Sequence, residues 1–251
     1  MTTEETDIEL TRAAMSIRTA LLGVGLLMTL AACGGAAPSV PSTAPIQTLQ
    51  ASALPSPSPR ALDVGQQGPL KSGTYVTASP FLARVTFSAP PGWYASMGGP
   101  YAVFLDPSLG TVSNDDGLVE LVVFDKVYAD PCHVERGLVA PPPGPSVDDL
   151  ANALARLPGL AATTPSDVAL GGYHGKQLSL TAPTSIAACS VWQLPLGASD
   201  TMVPGERDRY WILDVKGQRL VIDAHEVPSE SAADKAAVQA ILDSIRIAPA
   251  N

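Results

Sequence analysis

Between about residues 70 and 247 apolar positions recur with short periods, and the period changes from one stretch to the next. In "FLARVTFSAP" (81–90), Phe81, Ala83, Val85 and Phe87 alternate with Leu82, Arg84, Thr86 and Ser88. That is the period of a strand with one buried face. Pro90, Pro91 and Gly92 end it. "YAVFL" (101–105) reads as a second strand. "GLVELVVFDKVY" (117–128) is apolar at nearly every position, as in a strand covered on both faces. The pattern then becomes helical. In "SVDDLANALARLPG" (146–159), Val147, Leu150, Leu154 and Leu157 share one face. Ser146 and Asp149 approximate a capping box, and Pro158-Gly159 stops the helix. Strands follow around 167–171 and 174–182, joined at Gly171-Gly172. Tyr210 and Ile212 alternate with Trp211, Leu213 and Val215, and Lys216-Gly217 turns the chain into "QRLVIDAH" as a hairpin. A last helix starts near Ser231, presents Ala237, Val238, Ile241, Leu242 and Ile245, and closes on "SIRI".

Strands that dominate, short turns and two interrupting helices predict an α+β fold, an antiparallel β-sheet with two or more helices packed on it. About 180 residues suffice for one domain with a full core, placed here at 70–248. Residues 34–68 differ in kind, with six prolines, many serines and alanines, and no aromatics. Such a segment buries too little apolar surface to offset its ordering entropy, and it is expected to be a disordered tether.

At the N-terminus, small and apolar residues run from Ala20 to Ala32, about thirteen positions. A bilayer-crossing helix needs roughly 20, so the run has the length of a signal-peptide core instead. Arg18 precedes it, and Leu30-Ala31-Ala32-Cys33 ends it. This tetrad resembles the lipobox of bacterial lipoproteins. The resemblance implies a diacylglycerol on the Cys33 thiol, cleavage before Cys33, and further acylation such as palmitate. Two acyl chains hold where one gives only marginal anchoring. Residues 1–14 carry four acids and suit a signal peptide poorly, whereas Met15 opens the more conventional "MSIRTALLG". Met15 is therefore the expected start, with a cytoplasmic extension as the alternative. The expected organisation is a signal peptide (1–32), a lipidated cysteine with a linker (33–69) and the α+β domain.

The net charge of the whole chain is −9, and without residues 1–32 it is about −7. An acidic chain lacks the basic face that nucleic acid requires. The expected partners are the membrane, through the lipid, and an unidentified protein or small ligand. Of three cysteines Cys33 is assigned to lipid, which leaves Cys132 and Cys189. Export places this even pair where disulfides persist, so a Cys132–Cys189 bridge is expected; the alternative is two separate buried thiols.

Three stretches carry a further resemblance: the first strand running into "PPGW" (90–93), the "GGYHGKQLSL" hairpin (171–180), and the last hairpin followed by "AAVQAILDSIRI" (236–247). Their order is similar to the PsbP-like fold, which Mog1 and some actinobacterial lipoproteins share. That PsbP/Mog1-like resemblance implies a protein-binding or assembly role and no catalytic residues. The proline-rich "APPPGPS" (140–146) and the cysteine pair depart from it.

Motifs for chemistry are sparse. His133, His174 and His225 form no His-x-His or His-Glu-x-x-His pair, so no metal ligand is assigned and no cofactor is expected. His174 reads as a solvated turn residue. Asp223 and His225 share a strand face, a fragment of a triad, but no Gly-x-Ser-x-Gly elbow accompanies them. The plain reading is the polar outer face of an edge hairpin; an envelope hydrolase using this pair is the alternative function. Asp115-Asp116 and Asp148-Asp149 sit at a turn and a helix start, where acids have local uses. Trp93, Tyr94 and Tyr101 cluster around glycine- and proline-rich turns and are the candidate binding residues. The leading expectation is a lipid-anchored, non-enzymatic binding domain facing outside the cytoplasm. A structural accessory of an envelope assembly is the third.

Overall fold

The computed structural model describes residues 58–62, 67–77, 83–97, 102–106, 117–186, 189 and 202–249. These lie in one compact unit, Leu54–Asn251. The signal peptide, Cys33, the tether up to residue 57 and Tyr101 lie outside the described residues.

In chain order the strands are β1 (Arg60–Leu62), β2 (Gln67–Pro69), β3 (Gly73–Thr77), β4 (Ala83–Ala89), β5 (Tyr94–Met97), β6 (Ala102–Asp106), β7 (Val119–Val122), β8 (Ala161–Ala162), β9 (Ser166–Leu170), β10 (Tyr173–Thr181), β11 (Arg207–Val215), β12 (Gln218–Glu226) and β13 (Arg246–Pro249). Helix α1 (Val147–Leu154) precedes β8 and α2 (Ala232–Ser244) precedes β13. The large sheet runs β2-β5-β6-β7-β12-β11-β10-β8, with β9 also on β10, and its pairings are antiparallel. The small sheet runs β1-β3-β4-β13, with β1 parallel to β3. The fold class is thus α+β, as the periodicity predicts.

The large sheet is covered on both faces. On one, Val238, Ile241 and Leu242 of α2 and Val85 and Phe87 of the small sheet pack against Leu121, Leu213 and Ile222. On the other, Leu150 and Leu154 of α1 pack against Leu178, Leu180, Ile212 and Val221. Successive strand residues point to opposite faces, so two covers explain why all four residues of β7 are buried. Strand β4 has one buried face and alternates as expected, with Ala83, Val85, Phe87 and Ala89 in the core. The start of α1 is a complete capping box. The Asp149 amide donates to Ser146 Oγ at 3.1 Å, and the Ser146 amide donates to Asp149 Oδ2 at 3.0 Å. The β11–β12 hairpin turns on Lys216 and Gly217, with φ of 56° and 82°, as a two-residue turn with both central residues left-handed requires.

Three expectations change. The folded unit begins ahead of residue 70: β1 and β2 join the two sheets, and Leu62 is fully buried. Both strands are three residues long and held by backbone pairing, too short to leave a periodic pattern. The strand expected over 117–128 is confined to Val119–Val122, because Asp125 and Lys126 turn outward and Tyr128 makes only an isolated bridge to Leu138. His174, expected in a turn, is an exposed residue of β10 paired with Ala169.

Cys132 and Cys189 are bonded, with Sγ–Sγ 2.00 Å, Cα–Cα 4.7 Å and a sequence separation of 57. The bridge ties the loop after β7 to the segment after β10, on the α1 side of the sheet.

Candidate functional site: a buried histidine among carboxylates

The chemistry-bearing residues of this chain converge on the centre of the large sheet. Asp208 and Tyr210 alternate on β11, Asp223 and His225 on β12, and Glu120 sits in β7. Register brings them side by side: Asp208 is opposite His225, Tyr210 is opposite Asp223, and Asp223 is opposite Glu120. Glu206 lies one residue before β11, in step with Asp208. Parity assigns the set to the α1 face, because Val122, Ile212 and Val221, each an even number of residues away, line that core.

The hairpin is therefore central, and the reading of Asp223 and His225 as a polar outer face is corrected. Strand β12 lies between β7 and β11, and both side chains are 4% exposed. Alternation shows that two residues share a face; whether that face is covered depends on elements distant in sequence. Glu120 is also 4% exposed, Glu206 4% and Asp208 1%.

His225 is the hub. Its Nδ1 lies 2.8 Å from Glu206 Oε1 and 3.5 Å from Asp208 Oδ1, and its Nε2 lies 3.4 Å from Asp223 Oδ2. The Tyr210 hydroxyl donates to Asp208 Oδ2 at 3.2 Å. Glu206 is itself anchored, because its Oε2 accepts the Val203 amide at 2.5 Å. Both ring nitrogens face carboxylates. Two triads share the ring: Glu120, Asp223 and His225, and Glu206, Asp208 and His225. In each triad the ligand-type atoms lie within 4.8 Å of one another.

Arg207 and Arg209 of β11 serve the opposite face. Arg209 pairs with Glu226 at 2.8 Å, stacks over Trp211 at 5.2 Å and donates to Gln239 of α2 at 3.2 Å. Arg207 reaches Glu226 at 3.6 Å. Glu230, after β12, is 7% exposed with no hydrogen-bond partner for either carboxyl oxygen among the described residues. Burial pushes its carboxyl up to about 7.

The aromatic candidates divide. Trp93 is 4% exposed and belongs to the α2-side core with Leu70. Tyr94 begins β5 and is half-buried. A separate open cleft of about 330 Å³ lies beside the disulfide, lined in part by Asp130, His133, Arg136 and Ile186. There Asp130 is fixed by Arg136 at 2.5 Å and by the Cys132 amide at 3.0 Å.

Sequence motifs missed the cluster because its members come from three strands. The available signal was polar residues repeating at i and i+2 in "ERDRY" and "DAH" inside otherwise apolar strands.

What fold and site define together is an α+β domain with a disulfide and a buried histidine–carboxylate centre. No protein-family model matches the chain, and no curated protein matches it. Among solved structures it is similar to LpqN, involved in cell envelope biogenesis of Mycobacterium tuberculosis. The identity is 16% and the TM-score 0.35, over 73% of this chain and 91% of that one.

Proposed function

We propose that this chain is a membrane-anchored, extracytoplasmic lipoprotein whose α+β domain binds a protein or small ligand and catalyses no reaction. The Cys132–Cys189 bond carries the reading. Disulfides persist in oxidising compartments and are rare in the cytosol, which agrees with the signal-peptide run and the Leu30–Cys33 tetrad. The cleft beside the disulfide, with His133, Arg136 and Asp130 at its wall, is an accessible surface for a ligand. The Asp223–His225 pair, by contrast, is buried, and its imidazole is flanked by Glu206 and Asp208.

The test is fractionation of the producing cell. The wild-type chain is expected in membranes with a mass that begins at a lipid-modified Cys33. Cys33→Ser is expected in the soluble fraction or as uncleaved precursor. Wild-type chain that begins upstream of Cys33 and carries no lipid overturns the anchor. Native mass spectrometry of gently extracted protein then separates a bound small molecule from a protein partner.

A further inference from the structure

We propose that Glu120, Asp223 and the Nε2 atom of His225 form a divalent transition-metal site, with Glu206 holding the imidazole through Nδ1. The two sides of the ring differ. The Nδ1–Glu206 distance of 2.8 Å is that of a charge-assisted hydrogen bond. The Nε2–Asp223 distance of 3.4 Å is too long for one. It matches instead the edge of a tetrahedral site, where two ligands about 2.1 Å from Zn²⁺ lie about 3.4 Å apart. Glu120, opposite Asp223 in register, completes a set whose donor atoms lie within 4.8 Å of one another.

A ligating histidine whose other ring nitrogen donates to a carboxylate is the arrangement that fixes tautomer and orientation at metal centres. The Val203 amide fixes that carboxylate in turn. Burial adds a second argument: four carboxylates converge on one imidazole in the core, and buried charges are paired or coordinate metals. One nitrogen and two carboxylates suit Zn²⁺ or Mn²⁺ better than Ca²⁺, which takes six to eight oxygens. With all three ligands 4% exposed, the ion has a structural role, clamping β7 to β12, and enters as the chain folds.

The experiment uses the full chain in detergent with its disulfide intact, unfolded in urea with chelator and refolded with Zn²⁺ or without metal. The expected result is one Zn²⁺ per chain retained through gel filtration, with a raised unfolding midpoint. Glu120→Gln and Asp223→Asn are expected to lower Zn²⁺ affinity at least tenfold, and Glu206→Gln 10- to 100-fold, as orienting partners do. Asp243→Asn, on the exposed face of α2, should not change it. Refolded wild-type chain that retains no Zn²⁺, or retention equal in wild type and Glu120→Gln, overturns the proposal. Should the variants not fold, the ¹⁵N shift of His225 in the wild type decides. Displacement of the Nε2 signal on Zn²⁺ addition supports the site, and an unmoved signal overturns it.

Discussion

Gly175 and Glu230 show how far single side chains constrain this domain. On β10, Gly175 runs so close to β11 that a Cβ would lie 1.9 Å from the Ile212 carbonyl oxygen. The obstacle is paired backbone in mid-sheet, which cannot swing away like a side chain. Gly175→Ala is expected to destabilise by about 3 kcal/mol or more. The neighbouring exposed His174→Ala should stay within about 0.5 kcal/mol. Urea unfolding of both separates close approach from a general intolerance of β10. At Glu230, burial raises the carboxyl from 4.5 to about 7. Between those values the folded chain holds a proton that the unfolded chain has released. Stability therefore falls as pH rises from about 4.5 to about 7 and levels off above that. The loss is on the order of 3 kcal/mol. Unfolding measured across this window should slope downward for the wild type and lose that component in Glu230→Gln. An unchanged slope would place the titrating group elsewhere.

At the scale of elements, what could be read in the sequence depended on length and on local chemistry. Helix α1 was legible at its start and along its stripe, because cap and apolar spacing are local signals, but it ends at Leu154, ahead of the Pro158-Gly159 stop expected to close it. The prediction for it is local too: Ser146→Ala removes the acceptor for the Asp149 amide and should cost about 1 kcal/mol. Ser146→Asp, which keeps an acceptor, should recover most of it in the same thermal melts. The hydrogen bonds from Ser146 hold the Asp149 carboxyl below the ordinary carboxylate range. This contribution is present at neutral pH and is lost as acidification protonates Asp149. The β11–β12 hairpin was legible through its turn and its alternation. Strands β1 and β2 were not, since three residues show no period. The buried centre was half legible. Asp223 and His225 could be assigned to one face, but Glu120 lies inside an apolar run and joins them only through register, which a single sequence does not encode locally.

At the scale of the whole molecule, the disulfide is the long-range constraint that sequence did anticipate, and it anticipated it from compartment. Cys132 and Cys189 sit on either side of α1 and strands β8 to β10, so the bond closes this span into a loop of 57 residues. Closing a loop of that length removes conformational freedom from the unfolded chain, worth roughly 4 kcal/mol in the chain-entropy account. The cysteines also contribute to the α1-side core, where they pack as partly buried apolar groups. The two contributions are separable. Cys132→Ala with Cys189→Ala keeps small apolar groups and removes the link, and it should destabilise by roughly 3–4 kcal/mol. Reductant should lower the wild type by a comparable amount and leave the double variant unchanged. If reductant has no effect on folded wild-type chain that carries the bond, α1-side packing alone holds that face.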